Sequence, residues 1–170
     1  MVHECVGASL PSLYLPTPRP PAPPPPRTPT PRPPRPRTAN THAPWYNTNS
    51  AHQGDGEDQR LALEDMLYEA GVDLVVVGHV HAYERNHRVY NNKRDPKGIV
   101  HITIGDGGNR EGLAAKWLPV TPVSAYRLAT YGHGEILIAN STHAHWSWHE
   151  NPDAESKAMD DLWIIKGQDC

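Results

Sequence analysis

The sequence predicts a mixed α/β domain behind a disordered, proline-rich N-terminal arm. Two observations place the boundary. Of the 19 prolines, 13 fall between Pro16 and Pro36, and up to Thr41 the chain carries five arginines against the single acidic residue Glu4. From His42 onward the balance reverses, to 18 acidic and 11 basic residues. A third observation gives the class. One helix-period segment runs into a continuous apolar strand, and the rest of the chain reads as short strands separated by turns. The expected division is an arm over residues 1–40 and a folded domain over 41–170.

In the arm, proline fixes φ and removes the N–H donor, so residues 15–37 are expected as solvated polyproline II with no core. The spacing Pro23-x-x-Pro26 beside Arg27 has the form of a ligand for proline-recognising domains, which makes residues 16–36 a candidate docking segment. The plainer alternative is a linker. Next, Leu63, Met66, Leu67 and Ala70 keep the i, i+3, i+4, i+7 spacing of a helix, with Glu64, Asp65 and Glu69 expected on the solvent side. Asp55 is the expected N-cap and Gly71 the stop.

Val72–Val77 is a nearly continuous apolar run, the pattern of a strand buried on both faces. It ends at Gly78-His79-Val80-His81. A polar loop at the C-terminal end of such a strand is where open α/β sheets place ligands. Ile99–Ile104 is the next expected strand, closed by Gly105-Asp106-Gly107-Gly108. Glu135–Ala139, His143–His149 and Asp161–Lys166 complete an apparent antiparallel run. The alternation in His143–Trp148 predicts one buried face. Asn140-Ser141-Thr142 is a glycosylation sequon at a turn between two of these strands.

Composition excludes several function classes. An acidic domain with no basic cluster argues against nucleic acid as a partner. No apolar run approaches the roughly 20 residues needed to cross a membrane. The N-terminus shows neither the positive n-region nor the unbroken apolar core of a signal peptide. Cys5 and Cys170, at the two extremes, offer neither a disulfide framework nor a C-x-x-C metal motif.

Ten of the eleven histidines lie at or after His42. His79 and His81 alternate after a buried strand, beside Gly78, a spacing that can project them toward two adjacent metal ions, one each. Imidazole suits zinc and iron. The pair belongs to an ordered set of motifs. His42-Ala43-Pro44-Trp45-Tyr46-Asn47 precedes it, and Ala82-Tyr83-Glu84-Arg85 continues it. Ile102-Thr103-Ile104-Gly105-Asp106-Gly107-Gly108-Asn109, Tyr131-Gly132-His133-Gly134 and Thr142-His143-Ala144-His145-Trp146-Ser147-Trp148 come later in the chain.

In order and spacing this set resembles the C-terminal portion of the catalytic domain of plant-like purple acid phosphatases. The resemblance implies a partial metallophosphoesterase-type β-sandwich flanked by helices. It also implies hydrolysis of phosphate monoesters at an Fe(III)–M(II) centre, M being zinc, manganese or iron, in proteins that are secreted or vacuolar. By motif, His42 and His79 would bind the divalent ion and His81 the ferric ion. His52 matches one of two histidines that contact the phosphate and leaving group, while Ala51 stands in place of the other. Tyr83, Glu84 and Arg85 are expected either to orient the histidine loop or to pack. Asp106 and Asn109 match a structural turn. His101, His133, His143, His145 and His149 are expected as strand or surface histidines.

The resemblance also implies ligands this sequence does not show. The family's two aspartates, tyrosinate and asparagine lie in loops of the GDxG, GDxxY and GNHE type, none of which occurs upstream of His42. Arg37-Thr38-Ala39-Asn40-Thr41 lacks apolar strand character, so Val72–Val77 is expected to become an open edge. Three neutral histidines supply no charge to offset two cations about 3.5–4 Å apart. The expectation is a truncated phosphatase with an incomplete metal site. Its alternative is a catalytically inactive fragment acting as a binding module or mononuclear metal binder.

Overall fold

The computed structural model describes residues 35–151 and 157–166. The proline-rich stretch through Pro34, with its candidate docking segment, lies almost wholly outside them, as do both cysteines. The described chain forms β1 (Thr38–Asn40), α1 (Glu57–Glu69), β2 (Leu74–Val77), β3 (Tyr83–Tyr90), β4 (Lys93–Arg94) and β5 (Ile99–Ile104). It continues with β6 (Ser124–Leu128), β7 (Gly132–Ile138), β8 (His143–Glu150) and β9 (Ala158–Ile165).

The larger sheet runs β1-β2-β5-β3-β4, with β6 also paired to β3. The smaller is the antiparallel run β7-β8-β9. Side chains alternate across a strand, so β2 serves two cores. Leu74 packs with Tyr83, Val100 and Ile102 against Ala144, Trp146, Trp148 and Ile164 of the small sheet. Val75 and Val77 pack with Val72 and Ile99 on the opposite side, where Leu67 of α1 covers them. The order of layers is therefore helix, large sheet, small sheet, a mixed α/β sandwich. In β8, Ala144, Trp146 and Trp148 are buried, as the alternation predicts.

Three expectations are corrected. The segment Thr38-Ala39-Asn40 does form a strand, and it pairs in parallel with Leu74-Val75-Val76. β2 is thus not an edge, because β5 flanks its other side, also in parallel. Backbone pairing needs no apolar side chains, and the exposed edge strand β1 carries few. The run after β2 is consequently mixed rather than antiparallel throughout.

The helix starts one residue later than expected, with Gly56 rather than Asp55 at the N-cap. Its buried residues are Arg60 and Glu64, while Met66 is exposed. Glu64 turns inward because partners await it there. It accepts from the Tyr46 hydroxyl, from Arg60 at 2.7 Å and from the Asn91 backbone N–H at 3.2 Å.

Strands β3, β4 and β6 lack the apolar signature of β2 and β5. β3 reads Tyr-Glu-Arg-Asn-His-Arg-Val-Tyr, yet it pairs with both β5 and β6. Its buried polar groups are drawn into hydrogen bonds. Glu84 accepts from the Thr48 N–H and hydroxyl and from Ser124, and Arg85 forms a two-pronged pair with Asp160 at 2.7 Å. Asn140 is exposed in the β7–β8 turn, the position its sequon predicts.

Candidate metal centre

Parallel neighbours end on the same side of a sheet. β1 runs out at Thr41, whose N–H still bonds Val76 O at 3.2 Å, so His42 emerges next to the end of β2. His79 comes directly after β2, and the two rings lie 4.6 Å apart between centroids. The turn ahead of α1 brings His52 to the other side of His79, with centroids 4.0 Å apart. Asp55 stands between them. Its Oδ2 lies 3.0 Å from His52 Nδ1 and 3.0 Å from His79 Nε2. The hydrogen bond from His79, then that from His52, holds the Asp55 carboxyl below its usual range.

This arrangement depends on backbone that most residues avoid. Among the described residues four non-glycines have positive φ: His52 (56°), His79 (63°), Asn91 (47°) and Asn92 (61°). Asn91-Asn92 is the two-residue turn between β3 and β4, where that conformation is ordinary. At the histidines it costs of order 1–3 kcal/mol each, the kind of strain that collects at functional sites. Two glycines permit the close approaches. A Cβ on Gly56 would lie 2.4 Å from Pro44 O, and one on Gly105 would lie 2.1 Å from Val80 O. The first lets the His52–Asp55 turn press against the segment after His42. The second seats the histidine loop on the end of β5.

His81 is on the same loop but is drawn toward Glu111, 3.8 Å from its Nδ1, while its carbonyl accepts from Ala114 N–H at 2.9 Å. Tyr83, Glu84 and Arg85 bind the sheets and residue 48 to one another, packing that fixes the start of β3, where the histidine loop ends. Asp106 is buried under Trp148, whose Nε1–H it accepts at 3.0 Å, in keeping with a structural turn. His101 is buried against Trp45 and Tyr46, and burial pulls its pKa down to about 3.

Asp55 is the residue that sequence reasoning places only as a helix cap. The available signal is its i, i+3 spacing from His52 across Gly54. Among the described residues, His52, Asp55 and His79 form the one group of three or more such side chains whose ligand atoms all lie within 4.8 Å of one another. A carboxylate-bridged pair of ions does not fit this donor set. The carboxylates nearest the imidazoles, Asp55 and Glu111, are exposed and serve different histidines. Neither is placed between two sites.

The layered fold, with histidines gathered where two parallel strands end, is of the metallophosphoesterase kind. Residues 98–161 match a family model described as iron/zinc purple acid phosphatase-like protein C. Purple acid phosphatase 22 of Arabidopsis thaliana is 56% identical over 124 residues, 72% of this chain and 29% of that protein. Purple acid phosphatase 1 of Ipomoea batatas is 46% identical over 136 residues, 73% of this chain and 29% of that protein. A purple acid phosphatase from yellow lupin (Lupinus luteus) seeds superposes with a TM-score of 0.63 over 75% of this chain and 24% of its own, at 19% identity, a likeness of fold. The matched part of the chain belongs to the purple acid phosphatase family and corresponds to its C-terminal portion. The chain spans less than a third of the length of these curated relatives.

Proposed function

We propose that this chain carries the histidine side of a phosphomonoesterase centre, with His42 and His79 facing a divalent ion, His81 facing the second metal position and His52 facing the phosphate. The observation that carries this reading is the convergence of His42, His52 and His79, with ring centroids 4.6 and 4.0 Å apart, from three separate segments. In the whole family centre, a bridged metal pair generates the nucleophile and clamps the phosphate. The donors of this chain do not supply the bridging anions. The chain is therefore a metal-binding part with weak or no hydrolysis of its own, and its likeness to purple acid phosphatases supports a secreted or vacuolar location.

Ala51 weakens the leaving-group side as well, since general acid assistance is typically worth about 10²–10⁴-fold. The test combines metal analysis after iron and zinc reconstitution with hydrolysis of an aryl phosphate between about pH 4 and 7. The expected result is at most one ion per chain and no turnover above the His79→Ala control. Two ions per chain with robust turnover, abolished by His79→Ala, would overturn the claim of an incomplete centre.

A further inference from the structure

We propose that a single divalent cation is held by His52 Nδ1, Asp55 Oδ2 and His79 Nε2, a two-histidine, one-carboxylate site in place of a bridged pair. The inference rests on the phosphatase reading only for His79. Its other two ligands come from the turn before α1, and neither belongs to the ligand set that the motifs imply.

The spacing fits an ion. With metal–nitrogen bonds of about 2.1 Å, ligands adjacent to one another about the ion lie about 3.0–3.4 Å apart. The Asp55 oxygen is 3.0 Å from each imidazole nitrogen. Without an ion, that oxygen accepts from both rings. With an ion, each neutral imidazole takes the tautomer whose lone pair faces the centre, and the carboxylate supplies the negative charge that three histidines lack. All three side chains reach solvent, so entry and the remaining coordination positions, filled by water, are open.

The backbone gives independent support. Two of the four non-glycine residues with positive φ among those described are His52 and His79, and the other two make an ordinary hairpin turn. Gly54, at φ 86°, completes the turn that folds Asp55 back beside His52. The left-handed conformation at His52 is not needed to start a helix. What it accomplishes is to aim the imidazole at His79. His42, whose ring lies 4.6 Å from that of His79 at a tilt of 59°, is left to orient that ring.

Occupation of this seat would also limit what His52 can contribute to hydrolysis. With Nδ1 on the ion, His52 keeps only its Nε2–H for contact with a phosphate. Chain and ion together would form a stable mononuclear state rather than half of a reactive pair.

Cobalt(II) is the probe, because its visible spectrum reports coordination while zinc(II) competition gives affinity. Wild type should bind one ion. Asp55→Asn and His52→Ala should each weaken binding by about tenfold or more, whereas His81→Ala should change it less than about twofold. Each variant is compared with wild type for its metal-free thermal transition, which substitutions at exposed positions should leave in place. Wild-type affinity in both Asp55→Asn and His52→Ala would overturn the site. If binding were lost instead in His42→Ala and His81→Ala, the motif-derived ligand set would stand and this one would fall. No binding of cobalt or zinc by wild type would also overturn it.

Discussion

Asp106 is fully buried at the end of β5, with one carboxylate oxygen on the Trp148 indole and the other without a partner. Burial raises its pKa from 3.8 to about 6. Below pH 3.8 folded and unfolded chains both hold the proton. Between there and about pH 6 the unfolded chain releases it while the folded chain keeps it, so stability falls as pH rises through that window. The difference corresponds to about 3 kcal/mol withheld at neutral pH. Asp106→Asn keeps the indole contact without the charge. It should raise stability at pH 7 and flatten the pH dependence between about 4 and 6, read by urea unfolding at several pH values. An unchanged slope would mean that Asp106 is not the group responsible. Much at this scale is legible in the sequence, including His101 as a strand histidine and Asp106 as part of a structural turn. Asp55 is not legible as a neighbour of His79, because its position depends on backbone angles at His52 and Gly54 that spacing does not reveal.

At the scale of elements, the least apolar strand has the largest consequence. Arg37 and β1 cover the free edge of β2. The Arg37 carbonyl accepts the N–H of Asp73 and Leu74, its own N–H bonds the Asp73 carboxylate at 3.0 Å, and Thr38–Asn40 continue the parallel register. The arm therefore stops being dispensable several residues before its expected end at residue 40. Deleting residues 1–34 should leave the thermal transition of the domain unchanged. Deleting 1–40 should lower it and, by opening a buried apolar edge, promote aggregation visible in light scattering. Equal behaviour of the two deletions would show that β1 contributes nothing to the sheet. β2, β5, β8 and β9 are visible through periodicity because each buries apolar side chains on at least one face, whereas β7 is visible from the run Ile136-Leu137-Ile138 although those side chains are exposed. β1, β3, β4 and β6 are not visible, because backbone pairing and buried hydrogen bonds hold them. The inward face of α1 escapes apolar spacing for the same reason: Arg60 and Glu64 satisfy each other and Tyr46, so a charged pair occupies the place that spacing assigns to Met66.

The whole molecule depends on how its two sheets are joined. Trp146 and Trp148 of β8 lie over Gly134 and Gly132 of β7, where any Cβ would fall within 2.3 Å of a ring atom. Tyr83 stacks on Trp148 at 4.5 Å, and its hydroxyl accepts from the Trp146 indole while donating to Asp160 at 2.7 Å. Asp160 of β9 also holds both prongs of Arg85. One carboxylate thus gathers a tyrosine and an arginine of the large sheet onto the small one. Removing one partner of a buried ion pair leaves the other charge uncompensated and typically costs about 3–5 kcal/mol. Asp160→Ala should therefore destabilise by about 3–5 kcal/mol in denaturant unfolding, well beyond the usual effect of a surface change. The double variant Arg85→Met with Asp160→Ala should recover part of that loss, because no buried charge is then stranded. The effect should also reach the candidate metal centre. The histidine loop is anchored at Val77 on one side and Tyr83 on the other, so loosening the start of β3 frees His79 and His81 to move. Asp160→Ala should weaken cobalt(II) binding at temperatures where the variant is still folded, although the substituted residue sits on the other sheet. A loss below about 1 kcal/mol with unaltered cobalt affinity would show that apolar packing alone joins the sheets and that the site does not depend on the tie between them.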